Sequence, residues 1–83
     1  MNFGKDHPTT ANSYFNLGIL LVDLYDFKGA RLFLEKAVVG YEKALGKNHP
    51  TTRTTYSWLS AVLRDLGDFE AAKVFENKSN SIR

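Results

Sequence analysis

His7-Pro8-Thr9-Thr10 recurs unchanged as His49-Pro50-Thr51-Thr52, forty-two residues further along an 83-residue chain. Laid over itself at that spacing, the chain pairs Gly4 with Gly46, Tyr14 with Tyr56, Leu17 with Leu59, Leu21 with Leu63, Asp26 with Asp68, Phe33 with Phe75 and Lys36 with Lys78. Sixteen of the forty-one pairs are identical, without a gap. A period of about 20–50 residues marks a repeat array, whose units cannot bury their apolar faces alone and usually number about three or more. Chains of this size bury only about 60% of their unfolded surface. Two units therefore point either to a longer array or to a core completed against another copy of the chain.

Both units read as helix pairs. From Pro8 to about Leu24, Tyr14, Leu17, Leu20, Leu21 and Leu24 recur at spacings of three and four, the helical period. Proline suits a helix's first turn and forces the preceding residue out of the helical region, which puts His7 and His49 at the caps. Asp26 breaks the pattern and can cap a second helix, whose stripe runs Phe27, Ala30, Leu34, Ala37, Tyr41, Ala44 and Leu45 before Gly46 closes it. Phe33, Leu32, Val38 and Val39 lie off that stripe, so this helix is apolar nearly all round and expects burial on more than one side.

The second unit repeats the first helix with Tyr56, Leu59, Val62, Leu63 and Leu66, and turns at Gly67-Asp68. Its last helix is weaker, because Glu76 and Ser79 stand where Leu34 and Ala37 stood, and Ser79-Asn80-Ser81 reads as fraying chain. A polar last helix suits the capped end of an array. At the other end, Gly4-Lys5-Asp6 mirrors Gly46-Lys47-Asn48, so Met1–Asp6 reads as the tail of a preceding repeat.

Composition narrows the function. The net charge is +2, with lysines and arginines scattered among acids, so nothing points to nucleic acid. No stretch of about eighteen apolar residues is present and Met1 opens no leader-like segment, so the chain reads as cytoplasmic, without membrane contact. There is no cysteine, which removes disulfides and thiol chemistry. Asn77-Lys78-Ser79 matches the glycosylation triplet, a chance match in a chain with no secretory signal. The repeated histidines are explained by cap structure. No nucleophile-base pair, phosphate loop or histidine-carboxylate cluster is in place, so neither catalysis nor a metal or other cofactor is expected.

Tyr14-x2-Leu17-Gly18-x2-Leu21 followed by Ala30-x3-Leu34-x2-Ala37 resembles the tetratricopeptide repeat, a pair of antiparallel helices. The 42-residue period and the Leu45-Gly46-Lys47-Asn48-His49-Pro50 junction resemble the long-repeat subclass of kinesin light chains and nephrocystin-3-like proteins. The resemblance covers essentially the whole chain and implies an all-α fold. Two repeats, at about 7–48 and 49–83, make one domain of four antiparallel helices. The second copy departs from the pattern at Ser60 (for the small glycine at the helix crossing), Trp58 and Glu76.

First helices in that family line a concave groove that receives an extended peptide or a partner's helix. Carried over by position, the groove residues are Asn12, Phe15, Asn16, Ile19, Val22 and Asp23, then Thr54, Ser57, Trp58, Ala61, Arg64 and Asp65. Asparagine offers a donor and an acceptor to a peptide backbone, and a pocketed aromatic such as Trp58 contributes more than most contacts. The plainer alternatives are that Asn12, Thr54 and Ser57 are solvated, that Trp58 packs between first helices, and that Asp65 or Asp23 satisfies Arg64. The expected function is a non-enzymatic module binding a protein or peptide. The alternative is a structural repeat that stacks end to end with like repeats in a homo-oligomer or larger array.

Overall fold

The computed structural model describes residues 8–80, which form four helices: α1 (Pro8–Asp23), α2 (Phe27–Leu45), α3 (Pro50–Asp65) and α4 (Phe69–Asn80). Each boundary has a local cause. His49 is extended (φ −67°, ψ 140°), as a residue before proline must be, and its Nδ1 accepts the Thr51 N–H at 3.1 Å. Asp26 Oδ1 accepts the Gly29 N–H at 3.0 Å, and Asp68 Oδ1 the Ala71 N–H at 3.3 Å, so both second helices are capped alike. Gly46 ends α2 at φ 90°. The Met1–Asp6 tail, the His7 cap and Ser81 lie outside the described residues.

α1 packs on α2, α2 on α3 and α3 on α4. The main core cluster joins Ala30, Leu34 and Val38 of α2 to Tyr56, Leu59, Val62 and Leu63 of α3 and Ala72 of α4. A second, smaller cluster holds Ala11 of α1 against Ala37 and Tyr41 of α2. The helix that reads as apolar nearly all round is thus buried on two sides, by its own repeat and by the next. Val38 is spent on that internal contact; Leu32 and Val39 remain exposed.

Phe33 and Phe75 serve within their own repeats. Phe33 meets the Tyr14 ring at 6.1 Å with the Lys36 ammonium 5.6 Å from that ring, and Phe75 meets Tyr56 at 6.0 Å with Lys78 at 5.7 Å. Three of the identical pairs therefore build the same aromatic-lysine stack twice.

Gly18 is where the first helix pair closes. An added Cβ would lie 2.8 Å from Leu34 Cγ and Cδ2, inside contact distance. In the second pair that leucine is Glu76, which turns to the surface and meets Arg64 at 2.8 Å, and position 60 then carries a buried serine. The exchange leaves α4 helical through Asn80, where the sequence suggests fraying. Ser79 Oγ lies 2.5 Å from Ser57 Oγ, and its carbonyl accepts from Arg53 Nε at 3.2 Å, which ties the last turn to α3.

The α1 stripe corrects the reading from spacing. Leu17, Leu20 and Leu24 are 42%, 52% and 65% exposed, whereas their counterparts Leu59 and Val62 are 0% and 1% exposed and Leu66 is half-buried. Period alone cannot separate a face that meets the helix's own partner from one that meets a neighbouring repeat. Tyr14 and Leu21 belong to the first kind, the three exposed leucines to the second.

The α1–α2 turn holds a backbone exception. Asp26 N–H reaches Leu21 O at 2.8 Å and Asp68 N–H reaches Leu63 O at 2.9 Å, the same helix-closing turn twice. The left-handed position is Gly67 (φ 87°) in one copy and Tyr25 (φ 61°) in the other. A side chain there costs about 1–2 kcal/mol. Tyr25→Gly should therefore stabilise the fold by about 0.5–1 kcal/mol after the flexibility of glycine is subtracted, as read by chemical denaturation.

Candidate partner-binding face of the first helices

Successive residues of an α-helix are turned by about 100°, which divides α1 into three faces. Ala11, Tyr14, Gly18 and Leu21 form the face toward α2. Leu17, Leu20 and Leu24 lie on one flank. Asn12, Asn16, Ile19 and Asp23 lie on the other, and Phe15 and Val22 sit between that flank and the α2 face. In α3 the corresponding flank carries Thr54, Trp58, Ala61 and Asp65, with Ser57 and Arg64 between it and the α4 face.

The sequence-predicted residues have different local roles. Asn12 is exposed, and its Oδ1 accepts a hydrogen bond from the Tyr41 hydroxyl, tying the start of α1 to the end of α2. Phe15 is half-buried, edge-on to Tyr41 with ring centroids 6.3 Å apart, and it touches both core clusters. Val22 packs against the main cluster. Ser57 is paired with Ser79. Arg64 is paired with Glu76 rather than with Asp65 or Asp23, a partner that spacing along α3 could not reveal. Asn16, Asp23 and Thr54 are exposed and Ile19 is half-buried.

Trp58 combines both readings. It is half-buried and packs against the main cluster, and with Ser57 and Ala61 it also lines an open depression of about 280 Å³. A second depression of similar volume lies beside it, lined by Pro50, Arg53, Thr54, Ser57 and Ser79. A wider one, about 540 Å³, opens between α2 and the α3–α4 turn, lined by Lys28, Arg31, Leu32, Glu35, Leu66 and Asp68. No sequence-predicted residue lines that wider space, and three of its four charged groups have local uses. Arg31 pairs with Glu35 at 3.1 Å, and Asp68 caps α4.

Two tyrosine hydroxyls join the helices beneath these faces. Burial raises the pKa of Tyr41. That of Tyr56 is raised by burial, by the hydrogen bond its hydroxyl donates to Glu42 at 2.5 Å, and by the charge of that carboxylate. Because the unfolded tyrosines ionise first, at a pH of about 10, the stability these groups contribute is complete below that pH and is lost as pH rises above it. Stability measured against pH should fall on the alkaline side, and the fall should flatten in Tyr56→Phe.

Among the described residues, no group of three or more histidine, aspartate or glutamate side chains is placed to hold a metal ion, and no helix is long and apolar enough to cross a membrane. No curated protein sequence matches the chain. The sequence signature of the tetratricopeptide repeat matches residues 10–51, half of the chain, from the first turn of α1 to the first turn of α3. With two capped helix hairpins in the same register on either side of that junction, the chain belongs to the tetratricopeptide-repeat family.

Proposed function

We propose that this chain is a non-enzymatic protein-interaction module that binds a peptide segment or partner helix on the α1 and α3 flank bearing Asn16, Ile19, Asp23, Thr54 and Trp58. The observation that carries the reading is Trp58: an indole fixed by core packing on one side and open to a depression on the other. An aromatic already held in place loses little freedom on binding, which is what makes such residues anchors. Family membership supports the same class of work, since tetratricopeptide repeats generally mediate protein–protein interaction.

Asn16 and Thr54 supply amide and hydroxyl groups for a bound backbone. Asn12, Ser57 and Arg64 contribute indirectly, because their hydrogen bonds to Tyr41, Ser79 and Glu76 hold the first helices on the second ones. The 42-residue period supports a place in the long-repeat subclass that includes kinesin light chains.

The test is a random peptide display library selected on the wild-type chain. The selected peptides should lose about tenfold or more in affinity for Trp58→Ala and keep it for Val74→Ala, whose side chain is exposed on α4, with helical content unchanged in both. Peptides that bind all three proteins equally would refute the assignment.

A further inference from the structure

The two repeats diverge together at one place. Ala11 and Ala37 of the first repeat, with Phe15 packed against them, form the smaller core cluster with Tyr41, and Asn12 bonds to the Tyr41 hydroxyl. At the matching positions of the second repeat stand Arg53, Ser79, Ser57 and Thr54. Where the first repeat has an apolar contact, the second has an open depression of about 280 Å³, lined by those four side chains and Pro50.

The lining is one guanidinium and three hydroxyls, with no acid among them. Arg53 is half-buried, and its Nε donates to the Ser79 carbonyl at 3.2 Å, which orients the guanidinium and leaves the donors of both terminal nitrogens. Among the described residues no carboxylate pairs with it, whereas Arg31 and Arg64 pair with Glu35 and Glu76. A partly buried charge left in this way calls for a counter-ion from outside the chain. Ser57 and Ser79 lie Oγ to Oγ at 2.5 Å, so one donates to the other and the acceptor's own proton is left for a further partner. The site is made of side chains and not of the helix end: Pro50 has no N–H, and the Thr51 N–H is taken by His49 Nδ1. An oriented guanidinium fork with hydroxyl donors around it suits a phosphate group, which such forks bind with charge and geometry together.

We propose that this depression is a phosphate subsite, and that the group it takes is a phosphorylated side chain of a partner protein segment. The choice of a protein segment rests on the peptide-binding reading of the Trp58 flank, because this depression shares Ser57 with the one beside Trp58. One residue of an extended segment then meets the indole while a nearby phosphorylated one meets Arg53.

The test is a synthetic peptide array in which every sequence appears with serine and with phosphoserine at one fixed position, joined to an amide-resolved titration with inorganic phosphate. Phosphoserine members should bind better than their serine twins, an advantage reduced about tenfold or more in Arg53→Gln and several-fold in Ser57→Ala, the second variant serving if the first loosens α4. Inorganic phosphate should shift the amides of Arg53, Thr54 and Ser57 in the wild type and in Trp58→Ala, and not in Arg53→Gln. Peptides bound without preference for phosphoserine would overturn this proposal and leave the peptide-binding flank standing. Phosphate bound with no peptide bound at all would overturn both. Phosphate shifts indifferent to Arg53→Gln, or a single-stranded oligonucleotide bound more tightly than any phosphopeptide, would likewise overturn the assignment.

Discussion

A helix hairpin of this composition buries one face of each helix and leaves apolar side chains on the others, so the fold depends on α2 being packed from both sides. Ala37 and Tyr41 close on α1, while Ala30, Leu34 and Val38 reach α3. Tyrosine hydroxyls mark the same two seams, Tyr41 to Asn12 across one and Tyr56 to Glu42 across the other. The α2–α3 seam is also the template for any further stacking, because it is where one repeat seals the next.

That template gives the outer surfaces of α1 and α4 different characters. At the α4 end, Glu76 abandons the apolar role of Leu34, pairs with Arg64 at the surface and leaves Asn77 and Asn80 to water. At the α1 end, leucines with the same role as buried residues of α3 face outward. An apolar face costs solubility unless something covers it. The flank carrying Trp58 is separate from both of these surfaces.

Much of this architecture was legible in the residues. The 42-residue period, the aspartate caps, the proline starts and Gly46 placed α1, α2, α3 and the start of α4 to within about a residue, because each is a local signal with a local cause; the end of α4, which reads as fraying from Ser79, is helical through Asn80. What one strand of spacing could not distinguish was which of two adjacent faces a leucine occupies. Leu17 and Leu21 belong to one periodic stripe, yet only Leu21 meets the core. The partner of Arg64 was hidden for a related reason: Glu76 is distant in sequence and became available only because it had left the core. Tyr25 was detectable in principle, since its counterpart is Gly67 and a glycine exchanged between repeats signals a backbone demand. For the binding flank, position along the helix identified the exposed side but not which polar groups were already used internally.

Native-state hydrogen exchange on the dilute chain tests the central claim, that stability is centred on the seam between α2 and α3. If α2 is held from both sides, its amides around Leu34 and Val38 and those of α3 from Tyr56 to Leu63 should exchange most slowly, with α4 and the outer turns of α1 opening first. Slowest exchange in α1 or α4, with α2 opening early, would contradict it.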